Sequence, residues 1–499
     1  MRHPILYEIN TRCWLRELSE KAAQPVTLAN IPETEFANWQ RLGFTHIWLM
    51  GAWTSGPLAR AEALKQPGLL TLYSQTLPDW TEADVAGSPY AIAGYRVPPA
   101  LGGEQGLREF RRKLHQHGLR LMLDFVPNHV GMDHPWVSGQ TDLFVQTPFD
   151  LPETFEQATK AGRRRLAHGK DPHFAAWTDT VQLDYRLLAT RSAITEALQS
   201  IAERCDGVRC DMAMLVLNDV FAKTWHQFQL TGHESPITEF WAAAIATVKQ
   251  DHPNFLFLAE AYWGLEARLQ ALGFDYTYDK ELYDRLVARD APGVQRHLLG
   301  KTPQFIAASA HFVENHDEPR IASILSLEEH RAAALVVLGL PGMRFLHEGQ
   351  LEGVSNKIPV QLLRRVVSQN QAAIKQFYQQ LLTVLPGTAV GQGQGELLRP
   401  RAAWMENPTA ENLVILQWQK HPPEFDLVIV NLAAHRSQCF APLSIQNLSA
   451  CDWVMKDLLS QDKFVRTGEG LRAQGLYLDL PPHGAQLFHC QPADQTDRL

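Results

Sequence analysis

The 499-residue sequence predicts an α/β fold whose main body is a (β/α)8 barrel. Eight short apolar runs occur in the first two-thirds of the chain, and longer amphipathic stretches lie between them. Runs that are apolar at consecutive positions are typical of parallel strands buried on both faces. Because eight strand–helix units are the number that closes such a barrel, the pattern favours this architecture over an open sheet.

The predicted elements follow each other regularly along the chain. The eight predicted strands are 5–9, 46–50, 119–126, 206–212, 254–262, 274–278, 305–315 and 342–349. Between them, residues 104–118 and 190–205 have the spacing of amphipathic helices. We therefore assign residues 1–130 and 186–385 to the barrel.

Two regions depart from this repeat. Residues 131–185 mix proline, glycine and charge with little periodicity, which predicts a loop-rich subdomain inserted after the third strand. Its basic cluster at 160–165 is interpreted as a solvated surface turn. Residues 387–400 are a glycine-rich connector, which lacks the helix and the acidic partner of a nucleotide-binding loop. Short apolar runs beyond it predict an antiparallel β domain over 391–490.

The composition narrows the range of partners. The net charge of -8 argues against nucleic acid, whose partners usually carry a basic face. No apolar run approaches the roughly 18 residues that a membrane span requires, and the N-terminus lacks the apolar stretch of a signal peptide. Six scattered cysteines give neither a disulfide framework nor a zinc spacing. We expect a cytoplasmic protein that acts on a neutral or small substrate; its oligomeric state is open.

Four segments place acidic and histidine residues at the ends of predicted strands. They are 124–130, 207–213, 257–263 and 312–320. In a parallel barrel the carboxyl ends of the strands surround one shared pocket. The segments therefore bring three acids to that pocket: Asp211, Glu260 and Asp317.

The surroundings of two of these acids suggest different roles. Arg209 and Asp211 are two residues apart on one strand, so they point the same way, and the arginine favours an ionised aspartate that suits a nucleophile. A purely structural ion pair is the alternative. Glu260 follows an apolar run and precedes Tyr262 and Trp263, which predicts a raised pKa and a proton donor at neutral pH. The alternative is an exposed acid at the start of a loop.

Asp124 is interpreted as architectural. It would be costly to bury without a partner, so we expect it to bond to nearby backbone or to Arg209. Metal binding by Asp124, His129 and Asp211 is conceivable, but no ligand spacing of the HExxH type supports it.

The three acids match the requirements of glycosidic bond cleavage with retention. That reaction needs one carboxylate that attacks and one carboxyl that first donates and then accepts a proton. Over residues 1–385, the chain resembles the alpha-amylase family of glycoside hydrolases. The four segments resemble the family's four sequence regions: Asp124, Asn128 and His129 match the first, Gly207, Arg209 and Asp211 the second, Glu260 the third, and Asn315, His316 and Asp317 the fourth.

The resemblance implies roles for the matching residues. Asp211 would be the nucleophile, Glu260 the acid/base and Asp317 the group that stabilises the transition state. The substrate would be an α-glucan or a malto-oligosaccharide. The resemblance also implies that Tyr90 stacks on the sugar and that His129 and His316 bind its hydroxyls. Arg209 would orient Asp211, and Asp124 and Asn128 would support the site structurally.

The chain departs from the family's pattern after the nucleophile. Many amylases carry lysine and histidine where this chain has Met214 and Leu215, which puts the adjoining sugar subsite and a structural calcium in doubt. No cofactor is expected to be required. The segments AEAYW and DHPWV are faintly similar to the maltosyltransferase branch of the family. A glucanotransferase, maltosyltransferase or phosphorylase using the same acids is therefore the first alternative. A non-catalytic carbohydrate-binding relative and an unrelated metal-dependent barrel hydrolase are further ones.

Overall fold

The computed structural model describes residues 3–159, 162–228, 238–366, 371–460 and 462–494. Within these residues, eight parallel strands form a closed barrel in which each strand pairs with its neighbours in the chain and β8 closes on β1. The strands are β1 Ile5–Asn10, β2 His46–Met50, β3 Arg120–Phe125, β4 Gly207–Cys210, β5 Leu256–Ala259, β6 Tyr276–Tyr278, β7 Ser309–His311 and β8 Met343–His347. The predicted (β/α)8 barrel is confirmed.

The seventh strand is much shorter than predicted. Residues Pro303–Ala307 form a helix instead, because the Thr302 hydroxyl caps it by accepting from the Phe305 N–H at 3.1 Å and Pro303 suits its first position. Strand β7 then ends at His311, and the chain leaves the barrel as a loop. That loop carries Asn315, His316 and Asp317 to the mouth of the barrel.

Helices surround the barrel and link its strands. Those longer than eight residues are Thr11–Ala22, Glu33–Arg41, Pro67–Thr76, Gly103–Gln116, Leu188–Ala202, Phe240–Asp251, Ala291–Gly300, Leu327–Gly339 and Ala372–Val384. The shorter ones are Pro57–Ala63, Pro135–Gly139, Asn218–Thr224, Glu266–Ala271, Lys280–Val287, Pro303–Ala307 and Gly468–Gln474. None of the helices described is both long enough and apolar enough to span a bilayer.

Two small antiparallel strand pairs lie between β3 and β4. Strand His129–Gly131 pairs antiparallel with Thr180–Gln182, and Thr154–Thr159 pairs with Gly162–Ala167. The basic cluster predicted as a turn at 160–165 is therefore largely a strand, although residues 160 and 161 lie outside the described residues. Arg163 extends across the hairpin to Glu156, with 2.8 Å between their side-chain atoms, so the cluster is stabilised by cross-strand pairs. A third short pair, Thr54–Ser55 with Ile92–Gly94, lies between β2 and β3.

The C-terminal region consists of two antiparallel sheets. One has the strand order Gln394–Leu397, Leu413–Gln419, Phe425–Asn431, Ala485–Pro492, Trp453–Asp457 and Lys463–Arg466; the other has Arg401–Ala402, Ser437–Ala441 and Leu476–Leu480. The glycine-rich connector thus contributes a strand. A Cβ at Gly395 would lie 2.6 Å from the Trp418 ring, so glycine is what allows that strand to pair beside the tryptophan.

The barrel and the C-terminal sheets share a buried interface. Helix Leu327–Gly339 is buried over most of its length because it lies between the barrel and the strand Phe425–Asn431. The Trp418 indole donates to the Gly339 carbonyl oxygen at 2.8 Å, and a Cβ at Gly339 would lie 2.8 Å from Val428. This close contact fixes the C-terminal sheets against the barrel helix between β7 and β8.

Candidate active site

Strands β4 and β5 project the central residues of the site into the barrel mouth. The Cα of Arg209 is paired with Asp124 on β3 and with Leu258 on β5, and the arginine is fully buried. Asp211 follows the end of β4 and points the same way as Arg209, as strand alternation predicts. Glu260 directly follows the end of β5, and its N–H donates to the Cys210 carbonyl oxygen at 3.0 Å. The two acids therefore start from adjacent strand ends.

One guanidinium holds all three acids together. The Nη1 atom of Arg209 lies 2.8 Å from Asp211 Oδ1, and its Nη2 atom lies 2.7 Å from Glu260 Oε2. The same Nη2 atom lies 3.9 Å from Asp317 Oδ2. Since Asp211 and Glu260 bind different nitrogens of one planar group, their carboxyls face a common space.

Aromatic rings surround the guanidinium. The Arg209 Cζ atom lies 5.4 Å from the ring centre of Trp48, 5.3 Å from that of Tyr90 and 5.9 Å from that of Tyr278. Burial disfavours the charged form, but the neighbouring acids outweigh burial and raise the pKa of Arg209 well above its usual value. The ring faces add cation–π attraction. A permanent positive charge therefore lies beneath the acids.

Glu260 has the environment of a proton donor. Burial raises its pKa to about 7; Asp211 and Asp317 act in the same direction, while Arg209 opposes them. Its Oε2 atom accepts from the Met212 N–H at 2.6 Å, and its Oε1 atom accepts from the Tyr262 hydroxyl at 2.7 Å. The raised pKa that its apolar neighbours predict is present, and like charge contributes to it.

Asp317 belongs to a chain of hydrogen bonds that begins on β1. Its Oδ2 atom lies 3.0 Å from His316 Nε2, and the other ring nitrogen, Nδ1, lies 2.5 Å from Glu8 Oε1. Burial would lower the pKa of His316, but Asp317 and Glu8 raise it to about 10. For Asp317 the effect of burial is opposite, since it favours a higher pKa, but the positive charge of His316 holds the pKa of Asp317 below its usual range. Between its two acids, His316 is therefore an imidazolium.

Tyr90 completes the wall beside Asp317. Its hydroxyl lies 2.6 Å from His316 Nε2, and the two rings are stacked with centres 5.5 Å apart. Both nitrogens of His316 thus contact protein atoms. The structure places His316 where it orders Asp317 and Tyr90, while the sugar contact implied by the family resemblance is open to test.

The remaining predicted residues lie at the edge of the site or beneath it. His129 is buried beside Trp177, with ring centres 5.1 Å apart, and burial lowers its pKa, which favours a neutral ring. Asn128 accepts from the Gln182 side chain at 3.0 Å and so links the strand Thr180–Gln182 to the segment after β3. Asp124 accepts from the Trp48 indole at 3.1 Å and from the Gly51 N–H at 2.8 Å, without a direct contact to the reacting acids.

Several residues of the site were not predicted from the sequence. Besides Trp48 and Tyr278 around Arg209, they include Glu8 beneath His316, Tyr262 on Glu260, and Lys357, whose ammonium donates to the Asp317 carbonyl oxygen. A signal existed for Glu8, because it is an acid within the apolar strand ILYEI. Lys357 lies in an irregular segment after β8, where no pattern indicates the partner.

The described residues contain no cluster of three or more His, Cys, Asp or Glu side chains arranged to hold a metal ion.

Comparison with known proteins agrees with this geometry. The family model of the alpha-amylase catalytic domain matches residues 39–387. The chain belongs to the alpha-amylase family. Among curated members of that family, it is 20% identical to Alpha-amylase 3 of Dictyoglomus thermophilum over 288 residues, 54% of each chain. It is also 26% identical over 204 residues to an alpha-1,4-glucan:maltose-1-phosphate maltosyltransferase of Pseudomonas aeruginosa, 40% of this chain and 26% of the relative.

A solved structure extends the likeness in fold to the C-terminal sheets. A noncanonic maltogenic alpha-amylase from Thermotoga neapolitana superposes with a TM-score of 0.66 over 97% of this chain and 98% of its own, at 17% identity. This identity shows a common fold alone. The alignments with the curated relatives span about half of their length or less.

Proposed function

We propose that the chain is a retaining α-glycosidase that cleaves α-glucosidic bonds in α-glucans or malto-oligosaccharides. The observation that carries this proposal is the single Arg209 guanidinium, which holds the Asp211 and Glu260 carboxyls toward one space, with Asp317 beside them. An ionised acid, a protonatable acid and a third carboxylate are what double displacement at a sugar carbon requires.

In the first step, Glu260 donates its proton to the glycosidic oxygen while Asp211 attacks the anomeric carbon. The bond from that carbon to the leaving oxygen breaks, and an ester to Asp211 forms. Because Arg209 holds Oδ1 of Asp211, we assign the attack to Oδ2. On Glu260, Oε2 accepts from the Met212 N–H and lies 2.7 Å from the positively charged Arg209 Nη2, so the proton is assigned to Oε1, beside the Tyr262 hydroxyl.

In the second step, Glu260 acts as the base. It removes a proton from water, whose oxygen attacks the anomeric carbon and releases Asp211. Two inversions give net retention of the anomeric configuration. A pKa near neutrality suits both directions of this proton transfer.

Asp317 would bind hydroxyls of the reacting sugar. Its side chain is 46% exposed, although the charge of His316 keeps it ionised. As an acceptor fixed by an imidazolium, it can strengthen its hydrogen bonds when positive charge develops on the sugar ring. Tyr90, stacked on His316, would contact the same sugar.

Transfer to a sugar acceptor is the second candidate function, and an aromatic surface near Glu260 favours it. Trp263 is 43% exposed and adopts φ 65°, a left-handed backbone conformation that is rare for a bulky residue. Its ring lies 4.9 Å from that of His173, next to Phe174, which is 75% exposed. Such a surface can hold an acceptor in place of water.

Incubation with maltoheptaose, with products separated by size, tests the proposal. Shorter sugars alone indicate hydrolysis, and longer sugars beside them indicate transfer; added phosphate tests for a phosphorylase. Asp211→Asn should abolish turnover, and substantial residual activity would contradict the assignment. The anomer first released, observed by proton NMR, tests retention.

A cytoplasmic location is also proposed. The thiols of Cys13, Cys205, Cys210, Cys439 and Cys490 are buried and free, as suits a reducing compartment. A fluorescent fusion that localised outside the cytoplasm would contradict it.

A further inference from the structure

Two loop segments meet at the barrel mouth on the side opposite the nucleophile. In the closed ring of strands, β8 and β1 lie across from β4 and β5, whose ends carry Asp211 and Glu260. On the side of β8 and β1, residues 357–364 after β8 are bonded to residues 79–87 after β2. We call these two segments together the rear wall.

Hydrogen bonds join the two segments of the rear wall. The Leu363 N–H donates to the Asp84 carbonyl oxygen at 2.8 Å. The Arg364 guanidinium adds side-chain contacts, with Nε 2.8 Å from Asp84 Oδ1 and Nη1 3.1 Å from Asp79 Oδ1. The joint therefore consists of backbone pairing and of an arginine that binds two carboxylates.

The rear wall also has a small apolar core of its own. Its buried side chains come from the first helix, from the two helices after β2 and from both wall segments: Cys13, Ala63, Tyr73, Leu77, Val85, Ile358 and Leu362. Segments that open easily have few buried apolar contacts. The rear wall is therefore a fixed part of the barrel mouth.

The rear wall touches the residues that would hold the reacting sugar. Lys357 donates to the Asp317 carbonyl oxygen, and Val360 packs on the same barrel cluster as Tyr90. Between His316 and the wall a cavity of only about 10 Å³ remains. This is about the space of one water molecule. The wall thus stands directly behind the place of the reacting glucose.

The direction of the substrate follows from the roles of the acids. Glu260 delivers its proton to the leaving oxygen, so the leaving part of the sugar chain lies on its side, toward the exposed ring of Trp263. In a malto-oligosaccharide, the preceding glucose is joined through the fourth carbon, across the ring from the anomeric carbon. The fourth carbon of the reacting glucose therefore faces away from Glu260, toward the rear wall.

We propose that the rear wall makes this protein exo-acting. It would accept only the non-reducing terminal glucose of an α-glucan or malto-oligosaccharide and split off one glucosyl unit at a time. A terminal glucose carries a hydroxyl at the fourth carbon and fits, whereas an internal glucose carries a further unit where Lys357 and Val360 stand. This inference rests on the proposed function, because it specifies which bond the same acids cleave.

Maltoheptaose with a fluorescent label at its reducing end tests the inference. We expect the first shorter labelled product to be the hexaose, one glucose unit shorter than the substrate. An ethylidene bridge on the non-reducing glucose should lower kcat/KM at least about tenfold, because the blocked end clashes with the wall. Labelled products several units shorter from the start, or equal cleavage of the blocked sugar, would overturn the inference and leave the proposed function intact.

Arg364→Ala tests the contribution of the rear wall. Without the guanidinium the joint to Asp79 and Asp84 is weakened, so kcat/KM for the blocked sugar relative to the free one should rise several-fold. Arg436→Ala is the matched control, since it removes an arginine that pairs with Asp479 at 2.9 Å in the C-terminal sheets, and it should leave the ratio unchanged.

Binding separates this inference from the proposed chemistry. Calorimetry should show that the Asp211→Asn protein binds maltoheptaose at least about tenfold more tightly than the blocked sugar. The same preference in a natural chain that cleaves neither sugar would support the inference and contradict the proposed catalytic function. Equal affinity for the two sugars would overturn the inference.

Discussion

Replacing Glu8 with glutamine should change the titration of His316. The imidazole has a pKa of about 10 instead of 6.5, although it is buried. At about 1.4 kcal/mol per unit, its two carboxylates together exceed the burial penalty by roughly 5 kcal/mol. Glu8→Gln keeps the shape but removes one of these charges, while the burial penalty remains. We therefore expect the pKa to fall by about 2 units or more, into the neutral range.

The direction of the pH effect follows from the raised pKa. In the natural chain the charge on His316 stabilises the fold fully below pH 6.5, and this contribution is lost only as pH rises toward 10. In the variant the loss should occur near neutrality. Above that point Asp317 faces a neutral ring, and a charge-assisted hydrogen bond becomes an ordinary one. The difference between the two kinds of hydrogen bond is about 1–1.5 kcal/mol, which lowers kcat roughly 5- to 12-fold.

Two assays test this reasoning. The His316 imidazole should show constant NMR shifts from pH 6 to 8.5 in the natural chain and a titration in Glu8→Gln. The ratio of the variant's kcat to that of the natural chain should fall across the same range, because the ionisation of Glu260 affects both proteins and cancels. Glu8→Asp, which keeps the charge, serves as the control. A ratio that does not vary with pH, together with unchanged imidazole shifts, would refute the positioning role.

Three further predictions concern the proposed reaction. Because Glu260 must be protonated to act as the acid, kcat/KM should fall about tenfold per pH unit above pH 7. Glu260→Gln should lower kcat by about 10²–10⁴ on maltoheptaose, but far less on an aryl glycoside with a good leaving group. If a Glu260 variant with residual activity kept the same fall in kcat/KM at alkaline pH, the assignment would be contradicted. Trp263→Ala should lower the ratio of longer to shorter products several-fold, whereas Tyr477→Ala, an equally exposed ring in the C-terminal sheets, should not. Chelation by EDTA should leave activity within about twofold and Tm unchanged, since Arg209 and His316 balance the charge of the acids; a loss restored by calcium would show that a metal is needed.

Much of the fold could be predicted because it depends on short-range patterns. Continuous apolar runs are required of strands buried on both faces, so all eight barrel strands could be located. Where the predicted elements differ from the structure, a local feature of the sequence explains the difference. Thr302 and Pro303 together start a helix that covers the first residues of the predicted seventh strand. Gly395 was assigned to a glycine-rich connector, although glycine is also what a strand beside Trp418 requires.

The contacts of the site also fall into two groups: those that local strand geometry predicts and those that form only when the barrel closes. Arg209 and Asp211 are two positions apart on one strand, so their contact follows from strand geometry alone. Glu8 and His316 are 308 positions apart, and they meet only because β8 closes on β1 and brings the loop after β7 over the first strand. A barrel predicted from its strands implies that closure, but side-chain register does not follow from it. A lone acid in the apolar run ILYEI is nevertheless costly to bury without a partner, so it should be treated as a residue whose partner lies elsewhere in the chain.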